Sequence, residues 1–261
     1  VNANLTLLDT RVKELAGGAT EMNLDSDWAG YAIVGARYPM IKATDWVRNP
    51  EGKIIVDPVT GLPKAGDIVA VGTSDPTVRI GLNSVMKWKG FSLAATFDYR
   101  GGHYTRPSSE YNMLFTGASY ISGISGRQRF VFPNSVIEET DASGNVTYRE
   151  NTDITVNDAG KTFWNGIYKQ GRANQIISAA SWRLRELSLG YDVPKKYLKK
   201  VGFLQRASVS LVGRNLFMWT PSTNIWGDPD FTGSGNGNVG GFSGTNNVGQ
   251  RSYGFNLLLS F

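Results

Sequence analysis

Residues 252–261 read Ser-Tyr-Gly-Phe-Asn-Leu-Leu-Leu-Ser-Phe. The odd positions, Tyr253, Phe255, Leu257, Leu259 and Phe261, are all large and apolar. The even positions, Ser252, Gly254, Asn256, Leu258 and Ser260, are mostly small or polar. Successive side chains of a strand point to opposite faces, so this stretch specifies a strand with one apolar face, set against lipid or a core.

The same period of two recurs upstream. Ala207, Val209, Leu211, Gly213, Asn215, Phe217 and Trp219 share one parity, opposite Ser208, Ser210 and Arg214. Phe91, Leu93, Ala95, Phe97 and Tyr99 alternate with Ser92, Ala94, Thr96, Asp98 and Arg100. Val78, Ile80, Leu82, Met86 and Trp88 do so with Thr77, Arg79, Gly81, Asn83 and Lys87. Further on, Leu187, Leu189 and Tyr191 oppose Glu186, Ser188 and Gly190. Strands are expected near 1–12, 30–47, 77–88, 91–101, 178–192, 206–219 and 250–261, about seven in an all-β chain. Only Lys89-Gly90 separates two of them, a tight hairpin. A moderate link follows Asp192, where Pro194 and Gly202 suit a short helical turn. The connections from Arg100 to Ser178 and from Trp219 to Arg251 are far longer, and the second is rich in Gly, Asn and Ser. Short turns at one end and long loops at the other are the habit of an outer-membrane barrel. A soluble β-sandwich, which also alternates, turns every 8–12 residues and rarely carries such loops.

Composition narrows the function. The chain has 261 residues, no Cys and one His, His103. Disulfides, Cys-ligated metals and thiol nucleophiles are excluded, and multi-His metal sites and a Ser-His-Asp triad are disfavoured. The net charge of +5 is modest, its Lys and Arg are scattered apart from one dense cluster at Lys195, Lys196, Lys199 and Lys200, and no extended basic stripe with interleaved aromatics is present, so a nucleic-acid partner is not expected. No window approaches the ~18 consecutive apolar residues of a membrane helix, which leaves a β-barrel open. Aromatics gather at strand ends (Trp88, Tyr99, Trp182, Tyr191, Trp219, Tyr253, Phe261), where interfacial girdles sit. Seven strands close no wide barrel. At roughly 37 residues per strand and loop, 22 strands need on the order of 800 residues, so residues 1–261 read as a segment of about a third of one.

Several motifs carry a family resemblance. Ala180 to Pro194 (A-S-W-R-L-R-E-L-S-L-G-Y-D-V-P) resembles the S-x-x-R-L-R-x-x-S-L-G-Y-x-x-P segment of SusC/RagA-type TonB-linked outer-membrane proteins. Gly213-Arg-Asn-Leu-Phe217 is similar to their G-x-N-L-F strand, Asp228-Pro-Asp230 to their D-P-E loop, and Arg251 to Phe261 to their closing strand. Gly30-Tyr31 with Gly35 to Tyr38, Gly72 to Pro76 with Gly81-Leu-Asn83, and Phe91-Ser-Leu93 follow further motifs in order, with Trp88 in place of a Tyr. The resemblance implies the C-terminal part of a 22-stranded barrel, with the plug and earlier strands outside this sequence. It also implies TonB-coupled import of oligosaccharides or peptides across the outer membrane of a Gram-negative bacterium. A SusD-like surface lipoprotein would be the partner. The rival readings are a non-transporting adhesin or structural barrel and a soluble carbohydrate-binding β-sandwich.

Candidate functional residues follow. Tyr253, Phe255, Leu257, Leu259 and Phe261 resemble the C-terminal signal read by the outer-membrane assembly machinery, and they also suit contact with membrane lipid. Tyr104, Tyr111, Tyr120, Phe163, Trp164, Tyr168 and Trp226 fall on predicted external loops, where aromatic faces could stack on sugar or peptide or meet a lipoprotein lid. Arg79, Arg100 and Arg214 have the parity of a water-filled lumen and could attract anionic groups. Arg183 and Arg185 share parity with Leu187, a conflict unless they sit at headgroup level. Asp228 and Asp230 flank Pro229. They suggest a loop calcium site only weakly, because the other ligands of a calcium loop are missing, and a structural turn is the better reading. No other cofactor and no catalytic constellation is visible. Gly235, Gly237 and Gly240 spell G-x-G-x-x-G without a following helix and read as external loop.

Overall fold

The structure is a computed structural model; it describes residues 1–24, 30–156, 160–199, 202–230, 242–243 and 249–261, without the side chains of Ser108, Tyr111, Phe242 and Ser243. The Gly235–Gly240 motif lies outside the described residues. In chain order the strands are β1 (Asn2–Leu7), β2 (Glu21–Asn23), β3 (Gly30–Ile33), β4 (Met40–Trp46), β5 (Ile54–Val56), β6 (Ala65–Thr73), β7 (Val78–Trp88), β8 (Phe91–Gly101), β9 (Tyr104–Pro107), β10 (Phe130–Val131), β11 (Ser135–Thr140), β12 (Val146–Glu150), β13 (Thr155–Val156), β14 (Ile177–Ser178), β15 (Ser181–Asp192), β16 (Arg206–Trp219), β17 (Phe242–Ser243) and β18 (Ser252–Ser260). The α-helices are short: α1 (Ser108–Phe115), α2 (Lys161–Asn165) and α3 (Lys195–Leu198). None is long and apolar enough to cross a membrane.

Six strands form one antiparallel sheet in the order β1-β7-β8-β15-β16-β18. The sheet is open: β1 and β18 are its two edges. Directly opposed residues share a face, and the register aligns the apolar parities across the sheet. Leu5 faces Ile80, Ile80 faces Tyr99, Leu93 faces Leu189, Leu189 faces Leu211 and Leu211 faces Phe255. This apolar face is left uncovered. Tyr253 is 76%, Phe255 62%, Leu257 60% and Phe261 71% exposed. A sandwich would bury such a face under a second sheet. A patch of this size in the open is a membrane surface or an interface.

The turns sort by end as expected. Lys89 (φ 44°) and Gly90 (φ 89°) both lie in the left-handed region, the two-residue turn whose twist matches antiparallel strands. The 193–205 link holds α3 and lies at the same end, where Gln205 N–H donates to Ser260 O at 2.8 Å. Residues 8–77, 102–180 and 220–251 connect strands at the other end. Aromatics mark both ends of the apolar face. Phe91 meets Tyr191 (ring centroids 4.6 Å) and Phe203 stacks on Phe261 (5.9 Å) at the short-turn end. Tyr99 meets Trp182 (4.9 Å) and Phe217 meets Trp219 (5.9 Å) at the long-loop end. Phe91 and Tyr99 are separated by roughly 26 Å of strand at ~3.3 Å per residue; at a tilt of ~40° that is about 20 Å along the membrane normal, most of the ~25 Å apolar band of an outer-membrane barrel.

Two features depart from the sequence reading. The strand expected over 30–47 is interrupted by a turn containing Gly35 (φ 81°) and becomes β3 and β4 of a separate sheet, β2-β3-β4-β6. The long loops also carry a core of their own. Trp46, Val56, Phe132, Ile137, Val156 and Phe163 are buried together, drawn from residues 8–77 and 102–180. β5 pairs in parallel with β11, and so ties the first loop to the second. Gly171 lets the 3-10 segment Ile167–Gln175 lie against Trp46: a Cβ there would come within 2.1 Å of the indole.

Candidate functional site

The polar face of the six-stranded sheet gathers its charge near the long-loop end. On β8, Asp98 and Arg100 have the polar parity, opposite Arg183 and Ser181 of β15. The parity conflict at Arg183 and Arg185 is resolved by a bulge. Adjacent Thr96 and Phe97 of β8 pair with Glu186 and Leu184 of β15, and these pair with Arg214 and Phe217 of β16. Relative to β8, β15 carries one extra residue, Arg185, and β16 carries two. One extra residue flips the faces beyond it; two restore them. Trp182 and Leu184 therefore stay on the apolar face with Leu187, and Arg183 turns to the polar face. Asn215, at φ 52°, absorbs part of the same irregularity.

The segment after β16 folds back to meet these arginines. Arg183, whose side chain is 6% exposed, binds Asp228 through both Nη atoms, Nη1 to Oδ2 at 2.5 Å and Nη2 to Oδ1. Arg183 Nε lies 3.3 Å from Asp230. Arg185 donates to Asp98 from Nε (2.7 Å) and Nη2 (2.9 Å), and from Nη2 to Asp230 (2.9 Å). Arg100 adds longer contacts to Asp230 (3.4 Å) and Asp98 (3.6 Å). Burial pushes the Asp228 carboxyl up, but the Arg183 guanidinium, the Asp230 backbone N–H and the Arg185 charge together outweigh it and hold Asp228 below the usual carboxylate range. Among the described residues Arg214 pairs with Glu186, at 2.9 Å. Arg79 makes no hydrogen bond or ion pair among the described residues.

Two cavities flank this network. One of about 640 Å3 is lined by Arg100, Arg183, Arg185, Met218, Asp228 and Asp230, among others. The other, of about 190 Å3, shares Arg100 and Asp230 and adds Ser74, Asp75, Arg79, His103 and Thr105.

The predicted loop aromatics divide. Trp164 and Tyr168 are half-buried against the loop core, and Phe163 is inside it, edge-on to Phe132 at 5.3 Å. Tyr168 Oη donates to Glu110 Oε1 at 2.5 Å. Tyr120 is 68% exposed and Tyr104 38%. Trp226 is half-buried, in a turn where its backbone N–H donates to Asn224 Oδ1. The Tyr111 side chain lies outside the described residues. Asp228 and Asp230 each face guanidinium groups, and no group of three or more metal-ligating side chains occurs among the described residues. Sequence reasoning passed over Asp98 as a site residue; its signal was a carboxylate at polar parity two positions before Arg100 on β8.

The fold and this face define the class: a partial β-barrel, antiparallel, with an exposed apolar side and a charged side. Comparison with known proteins agrees. Among the solved structures that share the fold are the RagAB peptide transporter (16% identity, TM-score 0.62, covering 99% of this chain and 26% of that one) and the RagAB peptide importer in its closed-closed (17%, 0.62, 99% and 27%) and open-open (17%, 0.57, 96% and 25%) states. The chain thus spans about a quarter of the length of these relatives. At such identities the likeness is one of fold, and it agrees with the SusC/RagA-type resemblance of the motifs. No family model matches the chain, and no curated protein does.

Proposed function

We propose that residues 1–261 form the C-terminal wall and outer vestibule of an outer-membrane barrel that imports oligosaccharides or peptides. The observation that carries this reading is the uncovered apolar face, rimmed by aromatics at both ends, on a sheet whose opposite face is charged. Lipid covers the first face and a water-filled lumen meets the second. In this reading TonB supplies the energy through a plug contributed by other parts of the protein, and a SusD-like lipoprotein covers the folded loops. The role is non-enzymatic and needs no cofactor; Asp228 and Asp230 act as ion-pair partners that hold the vestibule wall. The strand ending at Phe261 serves the assembly machinery.

The experiment is uptake of labelled oligosaccharides and peptides by cells with and without the intact protein, beside its partition into detergent. Import that disappears with the protein and with TonB supports the proposal. Surface binding without import points to an adhesin, and partition into the aqueous fraction overturns the barrel.

A further inference from the structure

The short-turn end of the sheet carries charge that import of a cargo does not use. Residues 87–90 and 192–206 hold seven of the chain's 27 Lys and Arg but only one of its 22 acids, Asp192. The net charge of +5 therefore resides at this end, and the rest of the chain is close to neutral. Asp192 is engaged by Arg206 at 3.3 Å, with both side chains more than half exposed. Lys87, Lys89, Lys195, Lys196 and Lys199 are exposed and form no ion pair among the described residues; Lys200 lies outside them. Like charges held together repel, so a surface built this way is complementary to an anionic partner.

The patch begins where the apolar face stops. Trp88 has the apolar parity and is 68% exposed, and Lys89 Nζ stands 4.9 Å from its ring centroid. Lys196 Nζ stands 4.7 Å from the ring centroid of Tyr197. An exposed aromatic with an ammonium over it suits a membrane surface, the ring at the acyl boundary and the cation among phosphates. Beside them runs an open groove of about 590 Å3, lined by Lys89, Lys195, Gln205, Arg206 and Ser260, among others. Its three cations are exposed, so an anion in the groove reaches them directly. Its frame is fixed by backbone bonds: Asp192 N–H to Gly90 O (2.8 Å), Val193 N–H to Ala207 O (2.9 Å) and Gln205 N–H to Ser260 O (2.8 Å).

We propose that this end of the sheet is a docking surface for acidic phospholipids, with one headgroup phosphate in the groove between Lys89, Lys195 and Arg206. Lys196 and Lys199 meet neighbouring headgroups. Clustered Lys and Arg beside a membrane-spanning segment attract acidic lipid, each adding roughly fivefold to binding. A zwitterionic headgroup brings its own cation and gains far less. The inference rests on the membrane-barrel reading and adds to it the class of lipid selected and the leaflet, the one on the short-turn, periplasmic side.

The test is native mass spectrometry of the intact protein, released from micelles that carry phosphatidylglycerol and phosphatidylcholine in equal amounts. Phosphatidylglycerol should be retained about tenfold more strongly. Lys89→Gln, Lys195→Gln and Arg206→Gln combined should remove most of that preference. Lys13→Gln, Lys64→Gln and Lys161→Gln combined remove the same charge from exposed positions in the long loops and should change it less than about twofold. Equal retention of the two lipids, or equal loss in the two triple variants, overturns the proposal. So does equally tight binding of glycerophosphoglycerol, the deacylated headgroup, which would make the groove a site for free phosphate esters. Loss of binding to isolated peptidoglycan in the first triple variant, with lipid preference intact, would assign the patch to the cell wall and overturn it too. Partition is scored beside these: protein that enters detergent without any lipid preference leaves the barrel reading standing while the lipid surface fails, and protein in the aqueous fraction ends both.

Discussion

Single residues show where burial makes charge expensive. Arg183 is nearly enclosed, and its partners Asp228 and Asp230 are each 16% exposed. Removing one member of such a pair leaves an uncompensated charge, typically at a cost of about 3–5 kcal/mol. Arg183→Ala should therefore lower the denaturant midpoint and speed protease cleavage near residues 220–230. Arg183→Met combined with Asp228→Leu should recover most of the midpoint, since apolar replacements of a buried pair are often neutral. Glu110 is the converse case. Burial raises it to about 7, against the hydrogen bond from Tyr168 and the charge of Arg106, and its Oε2 has no partner. Unfolded, the group titrates near its ordinary value of 4.5. Between the two values the folded form holds a proton that the unfolded form has lost, so stability falls as pH rises from 4.5 towards 7 and is flat above. The full swing is of order 3 kcal/mol. Protection factors of the loop-core amides, corrected for the base catalysis of exchange itself, should be higher at pH 5 than at pH 8, and Glu110→Gln should abolish that difference.

At the level of elements, periodicity and turn chemistry made β7, β8, β16 and β18 legible almost to the residue. Each needs only its own alternation and a Lys89-Gly90 turn. β15 was legible as a strand over 178–192, but its faces before Glu186 were not, because Arg185 is an extra residue only relative to β8. Deleting Arg185 should remove the bulge and leave strict alternation through Leu184 and Glu186, with Trp182 and Leu184 still on the apolar face and Arg183 still on the polar one. The expected outcome is that the heat-modifiable folded band on gels survives both this deletion and Arg185→Gln; its loss in the deletion would mean that the faces do not follow the pairing with β8. The hairpin is equally testable. At Gly90 a Cβ would lie 2.9 Å from Asp192 O, on a residue with φ 89°. Gly90→Val should cost about 1–2 kcal/mol from the left-handed backbone alone, read as a lower unfolding midpoint with unchanged ligand binding.

In the proposed function the six-stranded sheet is a wall between two solvents. Leu257 and Asn256 are neighbours on β18, one paired with Val209 on the apolar face and the other with Ser210 on the polar face. Leu257→Arg should destabilise the folded barrel by about 2–4 kcal/mol near the bilayer midplane, and Asn256→Arg by less than about 1; equal effects in a bilayer refolding titration would mean that no lipid meets this sheet. The sequence by itself determined the strand faces, the sorting of short turns from long loops, and the parity of Arg79, Arg100 and Arg214. These are local properties: period two and a turn dipeptide are written in consecutive residues. The tertiary structure alone decided the rest. The loop core joins Trp46 and Val56 to Phe132, Ile137, Val156 and Phe163 across the wall strands between them. Arg183 reached the polar face only through a register shift between strands, and Asp228 and Asp230 became its partners only when the segment after β16 folded back. Burial and pairing of this kind depend on which distant segments share a neighbourhood, and no local period encodes that.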